Sequence, residues 1–180
     1  MTEIKVLRPD AVLAAEPSTL RLAPRGHLAG ARLTIIDNGK PRARDLLAGI
    51  AAQLTERYGL GAVTIFSKPS ASKVITEDEA VSIAETSDVV LTGLGDCAGC
   101  SACSLQDAVL MERHDRPSTV VISEPFVGLI TSLSAKLGAA GYPVVVVPHP
   151  VSSKSAEALS RLAARVADRV AANLAATPAA

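Results

Sequence analysis

The order of apolar runs predicts an open, doubly wound α/β domain: a mostly parallel five-stranded sheet with helices on both faces. Three observations carry that prediction. Five short runs rich in Val, Ile and Leu alternate with five segments of helical spacing. The runs are continuously apolar, as strands covered on both faces must be. No internal repeat and no linker interrupts residues 31–175, so they read as one domain.

The first run, "ARLTIID" (31–37), ends at the turn signal "NGKP". "ARDLLAGIAAQLTERYG" (43–59) has helical spacing and stops at Gly59, a residue suited to a C-terminal cap. "AVTIFS" (62–67) is the second strand. "TEDEAVSIAETS" (76–87) opens with a capping box from Thr76 to Glu79. "DVVLTGL" (88–94) is the third strand, followed by a helix over 101–115. "STVVIS" (118–123), a helix over 126–141, "PVVVVP" (143–148) and a long amphipathic helix over 153–175 complete the series. Residues 1–30 contain Pro9, Pro17 and Pro24 and no sustained period, so they read as an extended N-terminal arm of the kind that often packs on a partner subunit. Residues 176–180 read as a frayed tail. The whole is Rossmann/flavodoxin-like.

Composition narrows the function. A chain of 180 residues suits one domain. Eighteen basic and eighteen acidic residues balance, which argues against a nucleic-acid partner. Tryptophan is absent, so Ala, Val and Leu must fill the core. No apolar stretch is long enough to span a membrane. The N-terminus lacks the apolar core of a secretory signal. Three cysteines clustered together make a poor disulfide framework and fit a reducing cytoplasm, where such clusters do redox or metal chemistry.

In a parallel sheet, residues that follow the strands gather along one edge, where such folds bind ligands. Those positions hold Asp37, Asn38 and Lys40 after strand one, and Lys68, Ser70, Ser72 and Lys73 after strand two. Strand three leads into Asp96 and the cysteines, strand four into Glu124 and strand five into His149. The "SKPSASK" segment offers hydroxyls, amides and two lysines to an anionic group.

Cys97, Cys100 and Cys103 follow the pattern C-x-x-C-x-x-C. With a helix starting near Ser101, Cys97 and Cys100 approach its N-terminus and Cys103 lies in its first turn. Unpaired amides and the helix dipole favour thiolates there. Cys97 and Cys100 have the spacing of a reversible disulfide pair. Cys103 shares a helical face with Cys100. Asp96 and His149 are candidate proton carriers. The three thiolates are equally a candidate ligand set for an iron–sulfur cluster or a single transition-metal ion.

The strings "IDNGKPRA", "KPSAS", "GDCAGCSACSLQDAVLMER", "PSTVVISEPF" and "VVVVPHP", in that order, resemble the UGSC family, named for a selenocysteine-Gly-Ser-Cys motif in some members. The cysteine segment is also similar to the selenoprotein subunit of glycine reductase component B. The resemblance implies a chalcogen nucleophile at Cys97 with Cys100 resolving; Ala98 and Gly99 stand in place of Gly-Ser. The first expectation is a cysteine-dependent redox enzyme, or subunit of one, acting on a small anionic substrate with an external thiol reductant. The alternatives are a metalloenzyme subunit using Cys97, Cys100 and Cys103 for hydratase, lyase or electron-transfer chemistry, and a non-catalytic partner subunit. A homo- or hetero-oligomer suits each.

Overall fold

The computed structural model describes residues 19–175. The elements are β1 (Leu33–Asp37), α1 (Ala43–Tyr58), β2 (Val63–Ser67), α2 (Glu77–Thr86), β3 (Val89–Gly95) and α3 (Ala98–Arg113), then β4 (Ser118–Ser123), a 3₁₀ turn (Glu124–Phe126), α4 (Val127–Lys136), β5 (Val144–Val147) and α5 (Ala156–Leu174). Every strand pair is parallel, in the order β2-β1-β3-β4-β5. This is the flavodoxin-like order, and its switch point lies between β1 and β3.

β1, β3 and β4 are buried along their whole length, which explains their unbroken apolar character. α1 and α5 cover one face, burying Leu46, Leu47, Ile50 and Leu54 against Leu159, Leu162 and Val170. On the other face Ile36, Val90 and Met111 pack with Ile83 of α2, and Leu105 and Val109 pack with Ile130 of α4. Aliphatic side chains fill the core, as a chain without tryptophan requires.

Local signals act as expected at two helix ends. Thr76 and Glu79 form the reciprocal capping box of α2, and Gly59 closes α1 at φ 68°. Two boundaries differ from expectation. α3 starts at Ala98, three residues before Ser101, because Cys97 itself is the N-cap: its Sγ accepts the Cys100 amide at 3.2 Å. α4 stops at Lys136 instead of running to Gly141, since Gly138 turns the chain at φ 74°.

Of the N-terminal arm, residues 1–18 lie outside the described residues, as does the tail 176–180. Residues 19–30 lie on their own domain. The Leu20 amide donates to the Gly138 carbonyl at 2.7 Å, and Ala23 and Leu28 are buried. Arg25 donates to both carboxylate oxygens of the fully buried Glu112, at 3.0 and 2.7 Å. Glu112 also accepts the Ala23 and Ser118 amides. Among the described residues no helix is long and apolar enough to cross a membrane.

Candidate functional site

Strand exits meet above the switch point. Cys97 and Cys100 are joined as a disulfide whose Cα atoms are 5.3 Å apart. Cys97 is half-buried, whereas Cys100 is only 1% exposed. An incoming molecule therefore meets Cys97 first. Small residues permit this arrangement. A Cβ on Gly95 would lie 2.7 Å from both Ser101 Oγ and Ile122 Cγ2, so glycine lets the first turn of α3 settle onto the end of β3. Ser101 locks that turn by donating to the Cys97 carbonyl at 2.7 Å.

β3 loses register with β4 between Thr92 and Gly95. This leaves the Leu94 carbonyl to accept from Asn38 Nδ2 at 2.9 Å, and the same amide lies 3.2 Å from Ser104 Oγ of α3. Asn38 Oδ1 accepts the Lys40 amide. Asn38 is thus buried and committed inside the protein, tying β1, β3 and α3 together. Asp37 is buried beside it and accepts the Gly39 amide at 3.0 Å.

Lys68 is also turned inward. Its ammonium sits 2.5 Å from Asp107 of α3, and both side chains are almost wholly buried. Asp107 further accepts the Ile75 amide at 2.9 Å. Burial pushes the Asp107 carboxyl above its ordinary value, although Lys68 and the Ile75 amide pull it back. Cys103, the free cysteine, is half-exposed one helical turn before Asp107. Burial raises its thiol above the usual value; the positive charge of Lys68 opposes that shift and Asp107 adds to it.

On the other flank, Asp96 and His149 do meet. His149 Nδ1 lies 3.0 Å from Asp96 Oδ1 and 3.0 Å from Ser123 Oγ. Asp96 also accepts the amides of Val151 and Ser152 at 3.1–3.2 Å. Burial alone would raise this carboxyl, but the amide and hydroxyl donors outweigh it and hold it below the ordinary value. An ionised Asp96 accepts only, so His149 Nδ1 carries the hydrogen toward it and Nε2 is left as the free ring nitrogen. Phe126 packs edge-on against the imidazole with centroids 5.8 Å apart.

The remaining candidates line the rim. Ser72 and Lys73 are exposed, while Lys40 and Ser70 are half-buried. Ser70 Oγ accepts the Ser72 amide at 3.2 Å. Glu124 is exposed at the start of the 3₁₀ turn. Among the described residues no three His, Cys, Asp or Glu side chains are placed to hold a metal ion. Sequence pattern alone does not mark Asp107 or Ser123 as site residues. A polar residue four positions after Cys103 in an otherwise packed helix was the available sign of Asp107; Ser123 differs from the serines of other strand exits only by its partner.

The family comparison decides the relationship: the UGSC family matches residues 5–176. The chain belongs to the UGSC family. No curated protein matches it by sequence. Among solved structures, a flavodoxin-like domain from Synechococcus sp. is 12% identical, with a TM-score of 0.44 over 78% of this chain and 90% of its own. A diflavin flavoprotein from Nostoc sp. is 15% identical, with a TM-score of 0.43 over 79% of this chain and 92% of its own. In this UGSC-family chain Cys97 caps α3 and Cys100 lies in its first turn, at the exit of the central strand β3.

Proposed function

We propose that the protein is a thiol-dependent redox enzyme, or the thiol-bearing subunit of one, acting on a small anionic substrate. One observation carries the reading: the Cys97–Cys100 pair bridges the N-terminus of α3 with its outer sulfur accessible and its inner sulfur buried. In the reduced form the Cys97 sulfur faces the Cys100 amide, which favours a thiolate. That thiolate attacks the electrophilic atom of the substrate, whose leaving group departs with its bonding pair. The Cys100 thiolate then attacks Cys97 Sγ and frees the second product. The substrate gains two electrons and two protons, and the dithiol becomes the disulfide. An external thiol returns those electrons and protons in the next half-cycle. This order of roles agrees with the resemblance to the glycine reductase selenoprotein subunit.

The Asp96–His149 pair moves the proton: Nε2 takes it from the Cys97 thiol as the thiolate forms, and the imidazolium, held by Asp96, then gives it to the leaving group. Lys40, Lys73 and the hydroxyls and amides of 70–72 attract the anionic end of the substrate, since among the described residues neither lysine is in an ion pair. Lys68 and Asn38 support that wall from beneath it.

The test is a redox titration followed by mass. Wild type is expected to take up and release two electrons reversibly, with a change of two hydrogens located at Cys97 and Cys100. Cys97→Ser is expected to abolish turnover of any substrate found. Full activity in that variant, or a Cys97–Cys100 pair that cannot be reduced and reoxidised, overturns the reading.

A further inference from the structure

We propose that Cys103 is a third redox thiol, which takes the disulfide over from Cys97 by exchange at Cys100. This rests on the thiol-redox reading above and extends it to the route by which reductant enters. Burial decides which sulfur a reagent can reach. Cys100 is sealed from solvent at 1% exposure, so a free thiol in solution cannot attack it. Cys103 lies three positions further along the same helix, on the same face. Helix geometry puts the Cα atoms of such a pair about 5 Å apart. That is close to the 5.3 Å of the existing Cys97–Cys100 bridge and within the Cα range of disulfides, about 4.4–6.8 Å; the Cβ atoms of a helical pair are about 5–6 Å apart, so the first turn of α3 tightens to bring them to about 4.5 Å as the bond forms.

The step balances without an outside oxidant. Cys103 gives its proton to water and attacks Cys100 Sγ. The Cys100–Cys103 bond forms, the Cys97–Cys100 bond breaks, and the electron pair leaves on Cys97 Sγ. Leaving is favoured there because the Cys100 amide donates to that sulfur. Exchange places the disulfide on the more basic thiols and releases the less basic one. Burial raises the Cys103 thiol above its usual value, with Lys68 tempering the effect.

The result is a division of labour. Cys97, capping the helix, meets substrate. Cys103, beside the Lys68–Asp107 pair, meets the external thiol. The buried Cys100 is shared by both bridges and touches neither reagent. Substrate and reductant therefore do not compete for one sulfur.

The experiment uses the full-length protein. It is oxidised to one disulfide with diamide, held at pH 8, and its single free thiol is blocked with N-ethylmaleimide. Tandem mass spectrometry then locates the label. The proposal expects label on both Cys103 and Cys97, with Cys97 carrying about a tenth or more of the total. Oxidised Cys97→Ser should likewise form an internal Cys100–Cys103 disulfide. Label confined to Cys103 in the wild type overturns the proposal, whatever the variant does. Failure of the underlying reading looks different: Cys103→Ser would then show no reversible Cys97–Cys100 disulfide. If that variant cycles normally while wild-type label stays on Cys103, only the exchange step is lost.

Discussion

Replacing Lys68 with Met keeps an unbranched side chain of similar length and removes the charge that faces Asp107. The Asp107 carboxylate is then left in a dry site with the Ile75 amide as its remaining donor among the contacts described above. Breaking a buried pair this way costs about 3–5 kcal/mol. The molecule has one escape, which is to protonate Asp107. From an unfolded value of about 3.9, that costs about 5 kcal/mol at pH 7.5 but only about 1 kcal/mol at pH 4.5. The sign follows from linkage. Asp107 already sits above its ordinary value, and the variant pushes it further up. Its contribution is therefore complete below about pH 3.9 and is lost as pH rises through the folded value. Thermal unfolding followed by circular dichroism should show Lys68→Met melting ~6–15 °C below wild type at pH 7.5. Most of that gap should close at pH 4.5. Lys68→Met combined with Asp107→Leu should recover much of the loss, leaving about 1–3 kcal/mol for the orphaned Ile75 amide. A Lys68→Met protein as stable as wild type at pH 7.5, or equally weakened at both pH values, would refute the buried-pair argument.

Three further outcomes follow from the same geometry. Asp96→Asn should destabilise by about 1–3 kcal/mol at pH 7, because the amides of Val151 and Ser152 lose an ionised acceptor. Asp96 is held below its ordinary value, so its contribution is present above about pH 3.9 and disappears as pH falls through the folded value; melts from pH 3 to 7 should be flatter in the variant than in wild type. Arg25→Ala strands the buried Glu112 carboxylate and should lower stability by about 2–4 kcal/mol, with faster tryptic cleavage at Arg21 as residues 19–30 lift away; an unchanged digestion pattern would count against this. Gly95→Ala forces a methyl against Ser101 and Ile122, and should cost about 1–3 kcal/mol while slowing alkylation of reduced Cys97; unchanged stability and labelling would show that the turn yields freely.

Much of the fold is legible because each signal is local or periodic. The Val/Ile/Leu runs mark strands covered on both faces, Thr76 with Glu79 marks a helix start, and Gly59 marks a helix end. Boundaries were less legible where a residue did an unusual job. Cysteine is not among the side chains that ordinarily cap helices, so a start at Ala98 could not be read from residue preference alone. The candidate site was legible as a set of strand exits. Within that set, the pairing of Asp96 with His149 spans 53 positions, and that of Lys68 with Asp107 spans 39. No period links such positions.

By itself the sequence determined the class of fold, the placing of three thiols at one strand exit, and the polar character of the edge they share. Those are consequences of short-range pattern, which the chain carries in every conformation. Only the tertiary structure decided which polar groups face outward. Asn38 and Lys68 look like ligand-binding residues in the chain, yet packing turns them inward to satisfy the Leu94 carbonyl and Asp107. The same packing leaves Cys97 reachable and Cys100 sealed. Exposure depends on what lies across from a residue, and that is settled when distant segments close around it.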